Sequence, residues 1–371
     1  MSSFEERVRS ALAKVIDPEL AKPITELGMV GAIQGSELSG TVEIKLTVSY
    51  CPYQDQLKTH VEQALNQEFS EGKVSVSLTA MTKAELDDLK LKLRGPKKTN
   101  PFGPGTSTRV ILVSSGKGGV GKSTIAASLA TGLAGSGKQV GLLDADIFGF
   151  SVMQQMGIEQ RPTRLDDMML PPVAHGVKVI SIGMFLEGNE PVSWRGPMLH
   201  KAIEQFLTDV YWGSLDFLIV DLPPGTGDVS ISLGQLLPNA KVLVVTTADT
   251  DSATVAVRSA LASAKAGQEI IGVIENLSWI ESATGEKTAL LGSGGGQKVA
   301  EEIEAVTGKP APLLVQIPLS LKAAEQQGSG TPLIMQEIEG PTLKAIHALV
   351  DQVAETKLDQ SARTLNVKLS E

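Results

Sequence analysis

Seven short apolar runs, rich in β-branched residues, recur along the second part of the chain. They read VILVS, VGLLDAD, VKVISIG, FLIVDLP, KVLVVTTA, IIGVIEN and LLVQIP. Helical segments such as DSATVAVRSALASAKAG separate them. Near-continuous apolar strands that alternate with helices indicate a mostly parallel sheet with helices on both faces. The pattern therefore predicts an α/β domain over residues 109–357.

Residues 1–93 have a mixed pattern that predicts a small α/β domain of their own. Helices are predicted in FEERVRSALAKV and QDQLKTHVEQALNQEF, and strands in MVGAI, TVEIKLTV and KVSVSL. Residues 94–108, which read RGPKKTNPFGPGTST, concentrate Pro, Gly, Lys and Thr and are expected to form an exposed linker. Residues 358–371 are predicted to form a polar tail of mixed charge.

A glycine-rich stretch, SSGKGGVGKST, lies between the predicted strand RVILVS and the predicted helix TIAASLATGLA. It satisfies the P-loop pattern G-x-x-x-x-G-K-[ST], in which backbone N–H groups enclose a phosphate at a helix N-terminus. Lys122 would meet the β and γ phosphates, and Ser123 would bind Mg²⁺. The alternative is an ordinary glycine-rich turn. The predicted nucleotide-binding residues are Gly116, Lys117, Gly118, Gly119, Val120, Gly121, Lys122, Ser123 and Thr124.

Three aspartates follow apolar strands, where parallel sheets place their ligand sites. Asp221 ends the strand in FLIVDLPPGTGD and is the predicted Walker B carboxylate, or else it caps the next turn. Asp144 and Asp146 end GLLDAD. Asp144 is predicted to serve Mg²⁺, together with Ser123 and Asp221, and Asp146 to orient the attacking water, unless both are solvated loop residues. No N-K-x-D sequence occurs, which favours ATP over GTP.

The composition narrows the classes of partner. A net charge of −9 argues against nonspecific binding to nucleic acid or to anionic membranes, which both require many basic contacts. The segment MSSFEERVRS has no apolar signal region, and no stretch is long and apolar enough to span a bilayer. We therefore expect a cytoplasmic protein without nucleic-acid or membrane partners.

Six motifs together resemble the Mrp/ApbC family of P-loop ATPases, relatives of MinD and ParA that act as iron-sulfur cluster carriers. The motifs are SGKGGVGKST, LLDADIFG, WRGPMLHKAIEQFL, DFLIVDLPPGTGD, IENLSWI and LLGSGGG. The segments VIDPEL and LTVSYCP are similar to the small iron-sulfur assembly-type domain often fused ahead of the ATPase. The resemblance covers nearly the whole chain.

The resemblance also implies roles for individual residues. In this class the second P-loop lysine, which Lys117 matches, crosses a homodimer interface to the nucleotide of the other subunit. Lys117, Lys122 and Asp146 would then be the catalytic residues, although Lys117 as a solvated lysine on a turn is the alternative. Asp144 and Asp146 match switch I, Asp221 begins switch II, and Asn276 matches the residue that reads adenine.

One family feature is missing, because the interval WIESATGEKTAL contains no thiol where family members usually carry C-x-x-C. Cys51 is the chain's single cysteine, and it matches the reactive cysteine of the assembly domain. At the end of a strand and just before a helix, nearby backbone N–H groups are expected to lower its pKa. The hypothesis is transient cluster binding through Cys51 of two protomers, with apoprotein clients; the alternative is a small buried hydrophobe. Asp17 and Glu19 match the family's acidic motif, or form a turn and helix start.

Two other classes of function stay open at this point. One is a MinD/ParA-like switch whose ATP-bound dimer positions itself on a membrane, on DNA or on a protein. The other is an adaptor whose first domain docks clients while the ATPase times their release. The leading prediction is a homodimeric Mg·ATPase that binds or transfers iron-sulfur clusters.

Overall fold

The computed structural model describes residues 3–36, 38–48, 51–70, 73–94, 99–146, 149–186, 196–281, 286–326, 328–336 and 339–356. The predicted polar tail, residues 358–371, lies outside these ranges. The chain divides into two compact units. The first comprises Met1–Thr99, Gln160–Val173 and Asp209–Gly213, and the second comprises Asn100–Glu159, Ala174–Thr208 and Ser214–Glu371.

The elements follow one another in regular alternation through much of the chain. The helices are α1 (Phe4–Leu12), α2 (Gln54–Glu68), α3 (Lys83–Arg94), α4 (Lys122–Gly135), α5 (Val152–Met156), α6 (Gly196–Thr208), α7 (Asp228–Leu236), α8 (Thr250–Lys265), α9 (Gly295–Thr307), α10 (Leu321–Glu325) and α11 (Pro341–Ala354). The strands are β1 (Val30–Gly35), β2 (Ser39–Leu46), β3 (Lys73–Ala80), β4 (Arg109–Ser115), β5 (Val140–Asp144), β6 (Thr163–Leu165), β7 (Met168–Leu170), β8 (Val173–Ala174), β9 (Val177–Ser181), β10 (Phe217–Asp221), β11 (Lys241–Thr247), β12 (Glu269–Glu281), β13 (Lys287–Thr288) and β14 (Leu313–Leu319). Short 3₁₀ helices span Ile182–Phe185 and Leu333–Met335.

The first unit contains a small sheet in the order β1-β2-β3, with β1 antiparallel and β3 parallel to β2. Strand β2 buries alternate residues, as a half-buried strand should, and α2 packs its Leu57, Val61 and Leu65 into the same core. Helix α3 was not predicted from the sequence. Together these elements give the small α/β unit that the first part of the chain predicts.

A hairpin from far along the sequence completes the core of the first unit. We call Gln160–Val173 the hairpin segment; within it β6 and β7 pair antiparallel. Its Leu165, Met168 and Leu170 are buried in the same cluster as the side chains of α2. At its tip, Asp166 and Asp167 form ion pairs with residues of α3, at 2.6 Å from Lys90 Nζ and 2.9 Å from Arg94 Nη2. The first unit is therefore built from segments that are remote in sequence.

The second unit is organised around a sheet in the order β13-β12-β11-β4-β10-β5-β9-β8, with β14 also paired to β12. The pairs that link β12, β11, β4, β10, β5 and β9 are parallel, as is β14 on β12, whereas β13 is antiparallel to β12. Every residue of β5, β9 and β10 is buried. Since successive side chains point to opposite faces, both faces of the sheet are covered there. This confirms the predicted α/β architecture.

The linker differs from its prediction in one respect. Phe102 is only 2% exposed, and Asn100 Nδ2 donates to the carbonyl oxygen of Leu236 at 2.8 Å. The expected exposure is therefore wrong for this part of the linker, because Asn100 and Phe102 belong to the second unit and the aromatic side chain is buried. Residues 95–98 lie outside the described ranges. Among the helices described, none combines the length and hydropathy that crossing a membrane requires.

Candidate functional site

The P-loop joins β4 to α4, and two of its glycines are required by close contacts. A Cβ on Gly116 would lie 2.3 Å from the backbone nitrogen of Ala256. Gly121 has a φ of +84°, in the left-handed region, and a Cβ there would lie 2.2 Å from Asn276 Nδ2. Only glycine fits these positions without displacing neighbours. The pattern in the sequence thus reflects real steric limits in the fold.

A cavity of about 740 Å³ opens above this loop. Pro223 and Pro224, which follow β10, and Ser151, Gln154 and Gln155 at α5 also line it. Its lining includes most of the predicted nucleotide-binding residues, namely Lys117, Gly118, Gly119, Gly121, Lys122, Ser123 and Thr124, together with Asp146. In the described part of the chain, Gly116, Val120, Asp144, Asp221 and Asn276 are not part of this lining. The cavity is large enough for a nucleotide, whose size falls within the usual range of ligand pockets.

Four of the predicted site residues converge beneath the loop. Lys122 Nζ lies 2.7 Å from Asp221 Oδ1 and 3.5 Å from Asp146 Oδ2. Ser123 Oγ donates to Asp221 Oδ2 at 2.5 Å. Lys122 and Asp146 are 6% exposed and Asp221 is fully buried, so these charges interact away from bulk water. The structure therefore brings the P-loop cation and hydroxyl to the predicted Walker B carboxylate.

Asp144 and Asp221 end neighbouring parallel strands at the same register and are both fully buried. Burial, and then the charge of Asp221, raises the pKa of Asp144 to about 8, even though Ser181 Oγ donates to it at 2.9 Å. Burial also raises the pKa of Asp221, against the opposing effect of Lys122. A cation beside these two buried carboxyls would stabilise the ionised form of both, because it supplies positive charge where water is excluded.

The donors at this point suit Mg²⁺, which prefers oxygen ligands from hydroxyls, one or two carboxylates and phosphates. Ser123, Asp144 and Asp221 supply such oxygens. Within the residues that the structure describes, no group of three or more His, Cys, Asp or Glu side chains is arranged to hold a metal by itself. A magnesium ion here would therefore depend on phosphate oxygens to complete its shell.

The second P-loop lysine lies at the mouth of the cavity. Lys117 is 46% exposed along its side chain, and its Nζ lies 3.4 Å from Asp249 Oδ1. Asp249 caps the N-terminus of α8 by accepting from the backbone nitrogen of Ser252 at 2.7 Å. An ion pair this exposed contributes little stability, so Lys117 can leave Asp249 at low cost.

Asn276 is placed against the loop. Its Nδ2 donates to the carbonyl oxygen of Val120 at 2.9 Å, and the residue is 7% exposed. It follows Glu275, whose buried carboxylate accepts from Gly296 N at 2.7 Å and from Gln316 Nε2 at 2.8 Å. Asn276 thus supports the P-loop from behind, and its contact with adenine stays a prediction.

Cys51 lies in the first unit, within a buried polar cluster. Its Sγ–H donates to Glu19 Oε2 at 3.5 Å, and Thr163 Oγ1 of the hairpin segment donates to Glu19 Oε1 at 2.8 Å. Asp17 accepts from the backbone nitrogens of Glu19 and Leu20 at 3.0 and 2.8 Å, which forms the turn that the sequence allowed. The acidic segment and the cysteine are therefore brought together.

The expected lowering of the Cys51 pKa is not observed. Burial, followed by the charge of Glu19, raises the pKa of the thiol to about 12, and the backbone hydrogen bond at Tyr53 is too weak to offset them. Burial also raises the pKa of Glu19 to about 7, although the Thr163 hydroxyl opposes the change. Cys51 is 7% exposed, so the thiol is protonated and shielded.

Comparison with known proteins agrees with this geometry. A family model for the NUBPL iron-transfer P-loop NTPase matches residues 106–354, which contain the whole P-loop cavity. The chain belongs to this NUBPL-type iron-transfer family. A second model, for an iron-sulfur cluster assembly protein, matches residues 5–78.

Relatives of this NUBPL-type chain extend over nearly its full length. The iron-sulfur cluster carrier protein of Mycobacterium leprae is 47% identical over 355 residues, which cover 94% of this chain and 92% of the relative. The carrier protein of Bacillus subtilis is 39% identical, with coverage of 85% and 88%. A nucleotide-binding protein from Archaeoglobus fulgidus, solved with ADP, superposes with a TM-score of 0.53 at 29% identity and covers 69% of this chain and 94% of its own. The resemblance to the Mrp/ApbC carriers is confirmed.

Sequence reasoning missed three residues that contact side chains singled out in the sequence of this NUBPL-type chain. Asp249 had a signal, because an Asp three residues before Ser252 at the start of a helix is an N-cap pattern. Ser181, which donates to Asp144, and Thr163, which donates to Glu19, had none, since both contacts join residues that are far apart in sequence.

Proposed function

We propose that this protein is a Mg²⁺-dependent, ATP-hydrolysing homodimer that carries iron-sulfur clusters to apoproteins. The observation that carries the nucleotide half is that Lys122 and Ser123 both bond to buried Asp221 beneath a glycine loop, while Lys122 also pairs with Asp146. The cargo half is supported by the relatives, which are named iron-sulfur cluster carrier proteins.

The loop would bind the phosphates through its backbone N–H groups at the N-terminus of α4. Lys122, now held between Asp221 and Asp146, would turn its ammonium group to the β and γ phosphates. Ser123, Asp144 and Asp221 would hold Mg²⁺, which supplies charge neutralisation at the phosphates when bound. The pocket walls at Pro223 and Pro224 would exclude water from this end of the cavity.

Asp146 is the best candidate to orient the attacking water. It lines the cavity, whereas Asp144 lies outside the lining. Its carboxylate is fixed by Gly149 N, which donates to Oδ1 at 3.1 Å, and its other oxygen faces Lys122. A carboxylate held in this way can accept a proton from water at a defined position.

Lys117 would act on the nucleotide of a second copy of the chain. It stands at the mouth of the cavity, half exposed, on a pair that is easily broken. A cation that a partner supplies to the γ-phosphate offsets the charge that develops in the transition state, as an arginine finger does. Hydrolysis would then depend on dimer formation.

The cluster is the cargo of the proposed reaction. The chain carries one thiol, so two copies supply two, and small thiols or the client protein would supply the other ligands. Glu281, Ser282 and Thr284 in the interval of the missing C-x-x-C are poor substitutes for thiolates. Because Cys51 is shielded in this structure, cluster binding requires that it become exposed.

Steady-state ATP hydrolysis with Mg²⁺ tests the nucleotide half. We expect Asp146→Asn to lower kcat by roughly 100-fold while nucleotide affinity is retained, because orientation of the water is lost. Asp251→Asn, at an exposed position of α8, is the matched control and should behave as the parent. Equal kcat for Asp146→Asn and the parent would remove Asp146 from catalysis, and no hydrolysis by the parent would refute the ATPase.

Anaerobic reconstitution with iron and sulfide tests the cargo half. The parent should retain both elements after desalting, and Cys51→Ala should retain little of either. Cys51→Ser keeps the size of the side chain and separates loss of the thiol from loss of packing. Iron retained equally by all three proteins would exclude Cys51 as the ligand, and none retained by the parent would refute carriage by this chain alone.

A further inference from the structure

The chain passes twice from the nucleotide cavity directly into the first unit. Helix α5, whose Gln154 and Gln155 line the cavity, is separated from β6 only by residues 157–162. Helix α6, whose Leu199 lines the cavity, leads directly into Asp209–Gly213. These are the two places where the first unit takes in sequence from beyond the P-loop.

The two returning segments bind to each other inside the first unit. Met169 N donates to the carbonyl oxygen of Asp209 at 2.9 Å, and Tyr211 N donates to that of Met169 at 2.8 Å. Tyr211 is buried in the same cluster as Leu165 and Cys51. The connections from the two cavity helices therefore end in one shared structure.

The connection from α5 is short and tightly packed at its start. Gly157 ends α5 with a φ of +65°, and a Cβ there would lie 2.8 Å from the carbonyl oxygen of Gly330. Ile158, the next residue, is 6% exposed, and its nitrogen donates to Met153 O at 2.9 Å. The connection to β6 therefore begins with two residues whose positions are fixed by packing.

The segment that follows contacts the residues around Cys51. Thr163, the first residue of β6, bonds to Glu19, which in turn accepts from the Cys51 thiol. At the other end of the hairpin segment, the Tyr53 hydroxyl accepts from Val173 N at 3.0 Å. The hairpin segment is thus held by hydrogen bonds at two places. Thr163 bonds to Glu19, and Val173 bonds to Tyr53.

We propose that the hairpin segment is a nucleotide-responsive cover for Cys51, and that Thr163 is the positioning residue that holds it over Glu19. Occupancy of the cavity by a nucleotide changes how firmly the cover is held, because α5 and α6 line that cavity. The inference rests on the proposed nucleotide binding but not on hydrolysis or on a cluster. It assigns the hairpin segment a role that neither half of the proposed function requires.

Alkylation of the full-length protein by N-ethylmaleimide tests the cover, because the chain has a single cysteine and every adduct is at Cys51. The rate is measured by mass spectrometry at one pH, without nucleotide, with Mg·ADP and with a non-hydrolysable ATP analogue. Binding of each nucleotide is measured in the same samples. We expect the parent's rate to differ by about fivefold or more between at least two of these conditions.

The variants separate the cover from general loosening. Thr163→Val should raise the rate about tenfold or more, since it removes a hydrogen bond to a buried carboxylate, whereas Thr163→Ser should restore the parent's rate. Asp166→Asn combined with Asp167→Asn frees the tip without touching the cysteine cluster and should also raise it. Thr59→Val, at an exposed position where the hydroxyl donates to Asp55 O of its own helix, is the matched control.

Each outcome has a distinct meaning. Nucleotide that binds without changing the rate overturns the coupling, while the proposed ATPase stands. Failure of the parent to bind nucleotide overturns both the coupling and the proposed ATPase. Rates that are equal in the parent, in Thr163→Val and in the double tip variant show that the hairpin segment does not shield Cys51.

Discussion

The ammonium group of Lys117 lies 3.4 Å from a carboxylate oxygen of Asp249, the residue that caps α8. Although burial acts to raise it, the pKa of Asp249 is lowered overall by hydrogen bonds from Ser252 and Thr247. Asp249 is therefore a fixed anion with partners of its own. Lys117 is the exchangeable member of the pair, which suits its proposed reach to the nucleotide of a second copy of the chain.

Lys117→Ala is expected to separate binding from hydrolysis. Because Lys117 is proposed to act on the nucleotide of the other subunit, the affinity of its own subunit for nucleotide should change little. The kcat should fall by roughly 100-fold if the lysine acts in the transition state. Isothermal titration and steady-state kinetics measure the two quantities. Parental kcat in this variant, or a protein that stays monomeric with a non-hydrolysable analogue in sedimentation, would contradict the role across an interface.

Lys122→Ala is expected to weaken nucleotide binding itself. Lys122 is buried against Asp221 and Asp146, so its loss removes the cation that lines the cavity and leaves these two carboxylates without their ion-pair partner. We expect affinity for Mg·ADP to fall by roughly 10-fold to 100-fold. Lys265→Ala, at an exposed position on α8, serves as the control, and unchanged affinity in the P-loop variant would argue against this cavity as the site.

Gly116→Ala is expected to destabilise the second unit. The added Cβ meets the backbone of Val255 and Ala256, which cannot move aside as a flexible side chain can. The free energy of unfolding should fall by about 1 to 3 kcal/mol. Gly118→Ala is the matched control, because nothing lies within 4 Å of its Cβ position, and urea denaturation of both variants makes the comparison. Equal stability of the two variants would show that the backbone of α8 moves to make room for the added Cβ.

Glu19→Gln is expected to change how stability depends on pH. Burial raises the pKa of Glu19 from 4.5 to about 7, so the folded protein binds this proton more tightly than the unfolded chain does. The contribution of Glu19 to the free energy of unfolding therefore falls as pH rises from about 4.5 to about 7, and is constant above that range. The parent should lose roughly 2 to 3 kcal/mol relative to Glu19→Gln over this range.

Denaturant unfolding at several pH values gives this difference directly. Glu26→Gln, at an exposed position in the same unit, controls for the change of charge. A parent and Glu19→Gln whose stabilities run parallel from pH 4.5 to pH 8 would show that Glu19 ionises in the folded protein as freely as in water.

The sequence predicted the second unit well because its signals are local. Each apolar run became a strand, and the parallel pairing placed Asp144 beside Asp221 at one edge of the sheet. The P-loop pattern is also a local signal, because its glycines, lysine and serine lie close together in the sequence. Helix α3, by contrast, carried helix-forming Leu, Lys and Glu residues and could have been predicted from KAELDDLKLKLR.

The environment of Cys51 was beyond prediction because it is made by distant residues. Strands β6 and β7 have three residues each, too few for a period to show. The side-chain partners of Thr163 and Asp166, which are Glu19 and Lys90, lie more than 70 positions away. A helix start next to a cysteine suggests an acidic thiol, but burial against Glu19 outweighs that local effect. The pKa of this thiol depends on which residues surround the sulfur, and only the fold specifies them.

The hairpin segment also affects how this protein can be dissected. A gene fragment that stops at the linker would encode α1 to α3 yet omit Leu165, Met168, Leu170 and Tyr211, leaving an apolar hollow open to water. Such a truncation would be a poor reagent for capturing clients. An isolated first unit would need the hairpin segment fused to it, for instance in a circularly permuted chain.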